Sequence, residues 1–190
     1  MEGRTAVDAP RQAALLTVGA VVWLASEVMF FGGLFAAYFT LRSEAGVWPP
    51  HGVQLETATS AIATTVLIAS SGTMHLATQA LHRGERLATQ RWLIVTLALG
   101  GLFLANQVRE FFVLDFGVSS SSYGSVYYTM TGFHGLHVLA GLVLLVVATA
   151  VVGGAASRER RTAGVEAVAY YWHFVDVVWV ALFLTIFVLR

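Results

Sequence analysis

The sequence predicts an all-α, multi-pass membrane protein: five transmembrane helices in one bundle, with the N-terminus cytoplasmic and the C-terminus outside. Three observations carry this. Hydrophobic residues make up 57% of the chain and charged residues 12%, about half the charged share of a soluble domain. Mean hydropathy is +0.71. Five apolar runs, each able to cross a hydrocarbon core of about 30 Å, are separated by polar loops that carry most of the charge.

The first span, about 13–41, holds the most informative stretch, Trp23 to Phe39. From Ala14 to Thr40 there are 27 residues and one charge, Glu27, with thirteen residues on either side. At about 1.5 Å per residue the run is roughly 40 Å long, so Glu27 falls near the bilayer midplane. An ionised carboxylate is costly there and faces a bundle interior, a cavity or a polar partner. A cleavable signal peptide is the competing reading of this end, but the apolar run is too long for one.

Pro49 and Pro50 forbid helix continuation in the loop that follows. Span two is about 57–81 and contains His75. Span three is about 92–112, ending in NQVRE. A loop over 112–124 contains the run Ser119 to Ser122. Span four is about 125–152, and span five, about 166–189, follows the basic loop GGAASRERRTAG. The whole chain, 1–190, reads as a single membrane domain. With the N-terminus inside, the inner segments hold Arg4, Arg11, Arg83, Arg86, Arg91, Arg158, Arg160 and Arg161. Only Arg42, Arg109 and Arg190 lie outside, eight arginines against three. The positive-inside rule orients the bundle accordingly.

Small residues predict where helices approach: Gly32 and Gly33, each four residues before an alanine, Gly100 and Gly101, and Gly132, Gly135 and Gly141. Trp48, Trp92, Trp172, Tyr123 and Tyr171 lie near span ends and read as an interfacial aromatic belt. Composition excludes some chemistry. With no cysteine there is no disulfide and no thiolate metal site. A net charge of zero gives no signal for nucleic acid.

Ionisable residues inside the spans form a candidate buried polar cluster: Glu27, His134 and His137 three apart in span four, and His173 and Asp176 three apart in span five. Three readings stand. Three histidines and a carboxylate suit zinc or non-haem iron, although their depths in the spans differ. A proton or ion pathway uses such groups, although spans two and three offer it little. Hydrogen bonds between helices explain them without either, at about 0.6–2 kcal/mol each, and this is the reading the residues favour. They make no nucleophile–base pair, nucleotide-binding loop or haem-attachment motif.

The motifs WLASEVMFFGGLFAAYF, WPP, YGSVYYTMTGFHGLHVLAG and YYWHFVDVVW, in this order, resemble subunit III of haem-copper cytochrome c oxidase. The resemblance runs from about Trp23 to Arg190 and includes Gln107 and Glu110. It is to the five-helix bacterial form, which lacks the first two helices of the long members. The resemblance implies a non-catalytic core subunit of a respiratory oxidase in a bacterial cell membrane. Such a subunit packs against subunit I beside other oxidase subunits or in a supercomplex, and supports proton uptake. Haem and copper are expected in partner subunits and none in this chain, with phospholipid as a companion. Lipid sites that depend on the two further helices do not carry over. Glu27 falls at the family's buried carboxylate, and His134, His137, His173 and Asp176 at its polar positions. The alternatives are the equivalent subunit of a quinol oxidase or a nitric-oxide-reductase-associated homologue and, from another class, a free-standing proton or ion channel.

Overall fold

Gly84, with φ of +79°, sits in the shortest connection between helices among the described residues. It folds α3 (Arg86–Val113) back along α2 (Thr57–His82), and these two helices form the most extensive interface of the bundle. The structure is a computed structural model that describes residues 8–189. Arg4 and Arg190 of the charge count lie outside the described residues. Helix α1 spans Asp8–Glu44, α4 Ser122–Gly153 and α5 Arg158–Phe183, and α5 continues into a π-helical turn over Leu184–Val188. Among the described residues, five helices are long and apolar enough to cross a membrane.

The helices outrun the apolar spans that predict them. α3 starts at Arg86 rather than near 92, and α5 at Arg158 rather than near 166. Hydropathy marks the part of a helix that lipid surrounds, whereas Arg, Glu and Ala are good helix formers on either side of that boundary. The Ser157 hydroxyl accepts from the amide of Arg160 at 3.3 Å and so caps α5. Ser121, inside the expected loop, does the same for α4 through Gly124 N at 3.1 Å.

Helices α2, α3, α4 and α5 pack in a ring, each against two others, while α1 lies outside, chiefly against α4. The ring closes on aromatic side chains: Trp172, Trp179, Tyr123, Tyr127 and Phe103 are all fully buried. This corrects the aromatic-belt reading of Trp172 and Tyr123. Trp172 donates its indole N–H to Ser70 Oγ at 3.0 Å and lies between Gly100 and Gly141. A Cβ at Gly100 would sit 2.5 Å from Trp172 Cη2, and one at Gly141 2.9 Å from Cε3. Trp48 packs on Tyr38 and Tyr123, with ring centroids 5.3 and 5.0 Å away.

The expected helix-packing glycines differ in what they meet within this chain. A Cβ added at Gly32, Gly33 or Gly132 meets nothing within 4 Å, and at Gly135 only Leu104 Cδ1 at an ordinary 3.8 Å. A small-xxx-small pair permits close approach without saying which neighbour approaches. Within this chain the close approach runs through Gly100 and Gly141, and the Gly32–Gly33 face of α1 points away from the other helices.

Candidate functional site

The five residues expected to form one polar cluster occupy three separate places. His134 and His137 diverge because three residues turn a helix by about 300°, leaving the two side chains about 60° apart. His137 faces α1, where its Nε2 lies 3.0 Å from Glu27 Oε2. Its Nδ1 lies 2.7 Å from the carbonyl oxygen of Phe133, which can only accept, so Nδ1 carries a hydrogen. The Nε2–carboxyl contact is then made by one shared proton, as imidazolium with carboxylate or as imidazole with carboxylic acid. Phe31 packs its ring edge against His137, centroids 5.1 Å apart. Tyr171 donates to the His137 carbonyl at 3.0 Å. This joint fastens α1 to α4, and Tyr171 ties α5 to the same turn of α4.

His134 points into the ring instead. It is fully buried, stacked on Trp179 at 4.9 Å and set edge-on to Phe103 at 6.0 Å, and neither ring nitrogen has a hydrogen-bond partner. The third place joins α5 to α2. Ser71 Oγ lies 2.7 Å from His173 Nδ1. Asp176 is buried and faces the same hydroxyl, yet neither of its oxygens closes a hydrogen bond. Among the described residues no three His, Asp or Glu side chains come together in a way that would hold a metal ion.

A fourth polar group was visible beforehand only as part of the resemblance. Glu110, on α3, accepts from Tyr127 Oη at 3.1 Å and from Ser60 Oγ at 3.2 Å, and so joins three helices inside the bundle. A sequence signal for it exists. Buried residues on α3 are Thr89, Leu93, Thr96, Gly100, Phe103, Gln107 and Glu110, alternately four and three apart, the spacing of an inward seam.

The Glu27–His137 joint makes a checkable prediction. Glu27→Gln retains a donor for the imidazole and is expected to change bundle stability by less than about 1 kcal/mol. Glu27→Ala should cost about 0.6–1.7 kcal/mol. Unfolding in mixed detergent measures both, and equal losses would show that an amide at position 27 cannot replace the carboxyl group in holding α1.

Fold and polar groups together define a class: a helical protein with five helices long and apolar enough to cross a membrane, several of whose polar residues join one helix to another. The family model for cytochrome c oxidase subunit III matches residues 7–189. The chain is 44% identical to the probable cytochrome c oxidase subunit 3 of Nocardia farcinica over 93% of its own length and 89% of the relative's. It is 42% identical to the probable cytochrome c oxidase subunit 3 of Mycobacterium tuberculosis, with the same coverage of both chains. To the cytochrome c oxidase subunit 3 of Thermostichus vulcanus it is 38% identical, over 90% of this chain and 86% of that one. The chain belongs to the cytochrome c oxidase subunit III family.

Proposed function

We propose that this chain is a non-catalytic core subunit of a bacterial respiratory cytochrome c oxidase. In this reading it packs against subunit I, stabilises it and supports proton uptake, while haem and copper reside in partner subunits. The observation that carries the reading is the family match along nearly the whole chain. The outward face of α1 supports it: Val22, Val28 and Met29 are exposed beside the open Gly32–Gly33 face, which suits a neighbouring transmembrane helix. The arginine distribution supports an N-terminus in the cytoplasm. The relatives' names favour cytochrome c over quinol as the electron donor. The separation of the polar groups into distinct joints favours a structural subunit over a free-standing channel.

Deleting the subunit from the producing strain tests the reading. Haem spectra of the remaining oxidase should be retained while its activity decays within fewer turnovers. Lost haem spectra would instead assign cofactor ligands to this chain or make it essential for assembly. Unchanged turnover life would overturn the stabilising role.

A further inference from the structure

We propose that Asp176, Ser71 and His173 form a proton-holding site at mid-depth of the bundle, in which the Ser71 hydroxyl passes a proton between carboxyl group and imidazole. Helices α2 and α5 build it and run antiparallel, with Ser71 against His173, Ser70 against Trp172 and Thr64 against Trp179. Ser71 Oγ lies 2.7 Å from His173 Nδ1. Asp176, one turn further along α5, is buried and faces the same hydroxyl. Asp176 is ten residues beyond Glu166, which meets His82 at the end of α2. At 1.5 Å per residue the carboxyl group therefore sits about 15 Å along the helix from that pair, about half of a hydrocarbon core roughly 30 Å thick.

A hydroxyl group has one hydrogen to give and two lone pairs to offer. When Ser71 donates to Nδ1, the carboxyl group is satisfied by giving its own hydrogen to Ser71. When Ser71 donates to the carboxylate, Nδ1 carries a hydrogen and gives it to Ser71. Passing from the first arrangement to the second breaks the carboxyl O–H bond and forms an O–H bond on Oγ. The old Oγ–H bond breaks as the Nδ1–H bond forms, so acid and imidazole become carboxylate and imidazolium. One proton moves and none is lost.

The site has one mouth. His173 is half-buried, and His75, one turn from Ser71, is exposed and close enough for its charge to act on His173. The Gln79 amide holds the His75 ring at 2.9 Å. Beyond Asp176 the way is closed. No ionisable residue follows it on α5 as far as Leu189, none precedes Ser71 on α2 back to Thr57, and α3 has none from Trp92 to Val108. On α4, His137 is engaged by Glu27 of α1, and His134 stacks on Trp179. Tyr171 turns to the His137 carbonyl and Tyr38 of α1 to that of Thr185. A plain joint between α2 and α5 needs only Ser71 and His173. A carboxyl group at this depth is costly, and what it adds is a second basic atom one relay step from the imidazole.

Infrared spectroscopy of the full chain in lipid vesicles, with isotope-labelled aspartate, tests the site, because the other aspartates, Asp8 and Asp115, lie outside the apolar spans. The parent should show a protonated carboxyl band that Asp176→Asn removes. That band should change over the same pH range as the imidazole bands that His173→Gln removes. Ser71→Ala should slow hydrogen–deuterium exchange of the carboxyl group roughly ten- to hundredfold, and Ser71→Thr, which keeps the hydroxyl, should restore it. A merely structural hydrogen bond would lower stability in Ser71→Ala and leave exchange at the parent rate, and that result overturns the proposal. Absence of a protonated Asp176 band at every pH where the bundle stays folded overturns it as well. Should Ser71→Ala fail to fold, the parent decides: carboxyl and imidazole groups that titrate independently of each other sink the relay.

Discussion

Gly100→Val should prevent this bundle from closing, while Gly33→Leu leaves it intact. At Gly100 the first added carbon would lie 2.5 and 2.7 Å from Trp172 Cη2 and Cζ2, and 3.0 Å from Leu142 Cδ2. The indole cannot retreat. Gly141 holds its other side, where a Cβ would be 2.9 Å away, and its N–H is committed to Ser70. Overpacking a rigid core costs about 1–3 kcal/mol and occasionally more, and the two further carbons of valine enter the same contact. Against a total stability of about 5–15 kcal/mol, the expected result is a lowered denaturation midpoint in detergent and little folded subunit. Parent-like melting of Gly100→Val would refute the wedge role of Trp172. Gly33→Leu is the contrast, because among the described residues nothing outside its own stretch of helix lies within 4 Å of the new Cβ. Under the proposed function, its expected signature is an unchanged melting curve with reduced recovery of the oxidase complex, since the face it fills would then be offered to a neighbouring helix.

The five spans were legible in hydropathy alone because lipid imposes a coarse rule: about 20 apolar residues, all backbone groups bonded within the segment. Where helices began and ended was not, because RERRTAG is as content in a helix above the membrane as the apolar run is within it. Which faces met was harder still. In water an apolar residue points inward; in a bilayer it is at home on either side, and α4 leaves Leu136, Leu139, Val143 and Val147 exposed. Polar and small residues carry the inward signal instead. Glu27 and His137 do meet, at 3.0 Å. At Gly32 and Gly33 smallness marks a face without naming its partner, and no other helix of the described residues stands against it. The signal falls short for the single cluster, because sequence spacing places His134 and His137 on neighbouring faces but does not say that a helix stands against each. The inward seam of α3, from Thr89 to Glu110, could have been read from its four-and-three spacing.

The second large effect should come from Glu110, where that seam ends. Its carboxyl group collects Tyr127 of α4 and Ser60 of α2, and all three residues are buried. Glu110→Ala removes the common acceptor and strands two hydroxyl groups in a dry interior. A buried unsatisfied group costs about 1–3 kcal/mol, so the loss should reach about 2–4 kcal/mol. Tyr127→Phe removes one donor and leaves Ser60 in place, so it should cost about 1 kcal/mol. If the network acts as a unit, the Glu110→Ala/Tyr127→Phe pair will fall short of the sum of the singles by about 0.5–3 kcal/mol, measured by unfolding in mixed detergent. Strict additivity would mean that the two residues stabilise the bundle independently. The placement gives the test its structural meaning. At one end of α3, Arg86 ties it to α4 through the carbonyls of Val152 and Gly154. At the other end, Glu110 ties it to α2 and α4 together. Between these anchors Trp172 wedges α3 against α4 and α5. Losing the Glu110 anchor should therefore loosen the far end of the ring first, with amide exchange rising near Ser60 and Tyr127 before it rises near Arg86.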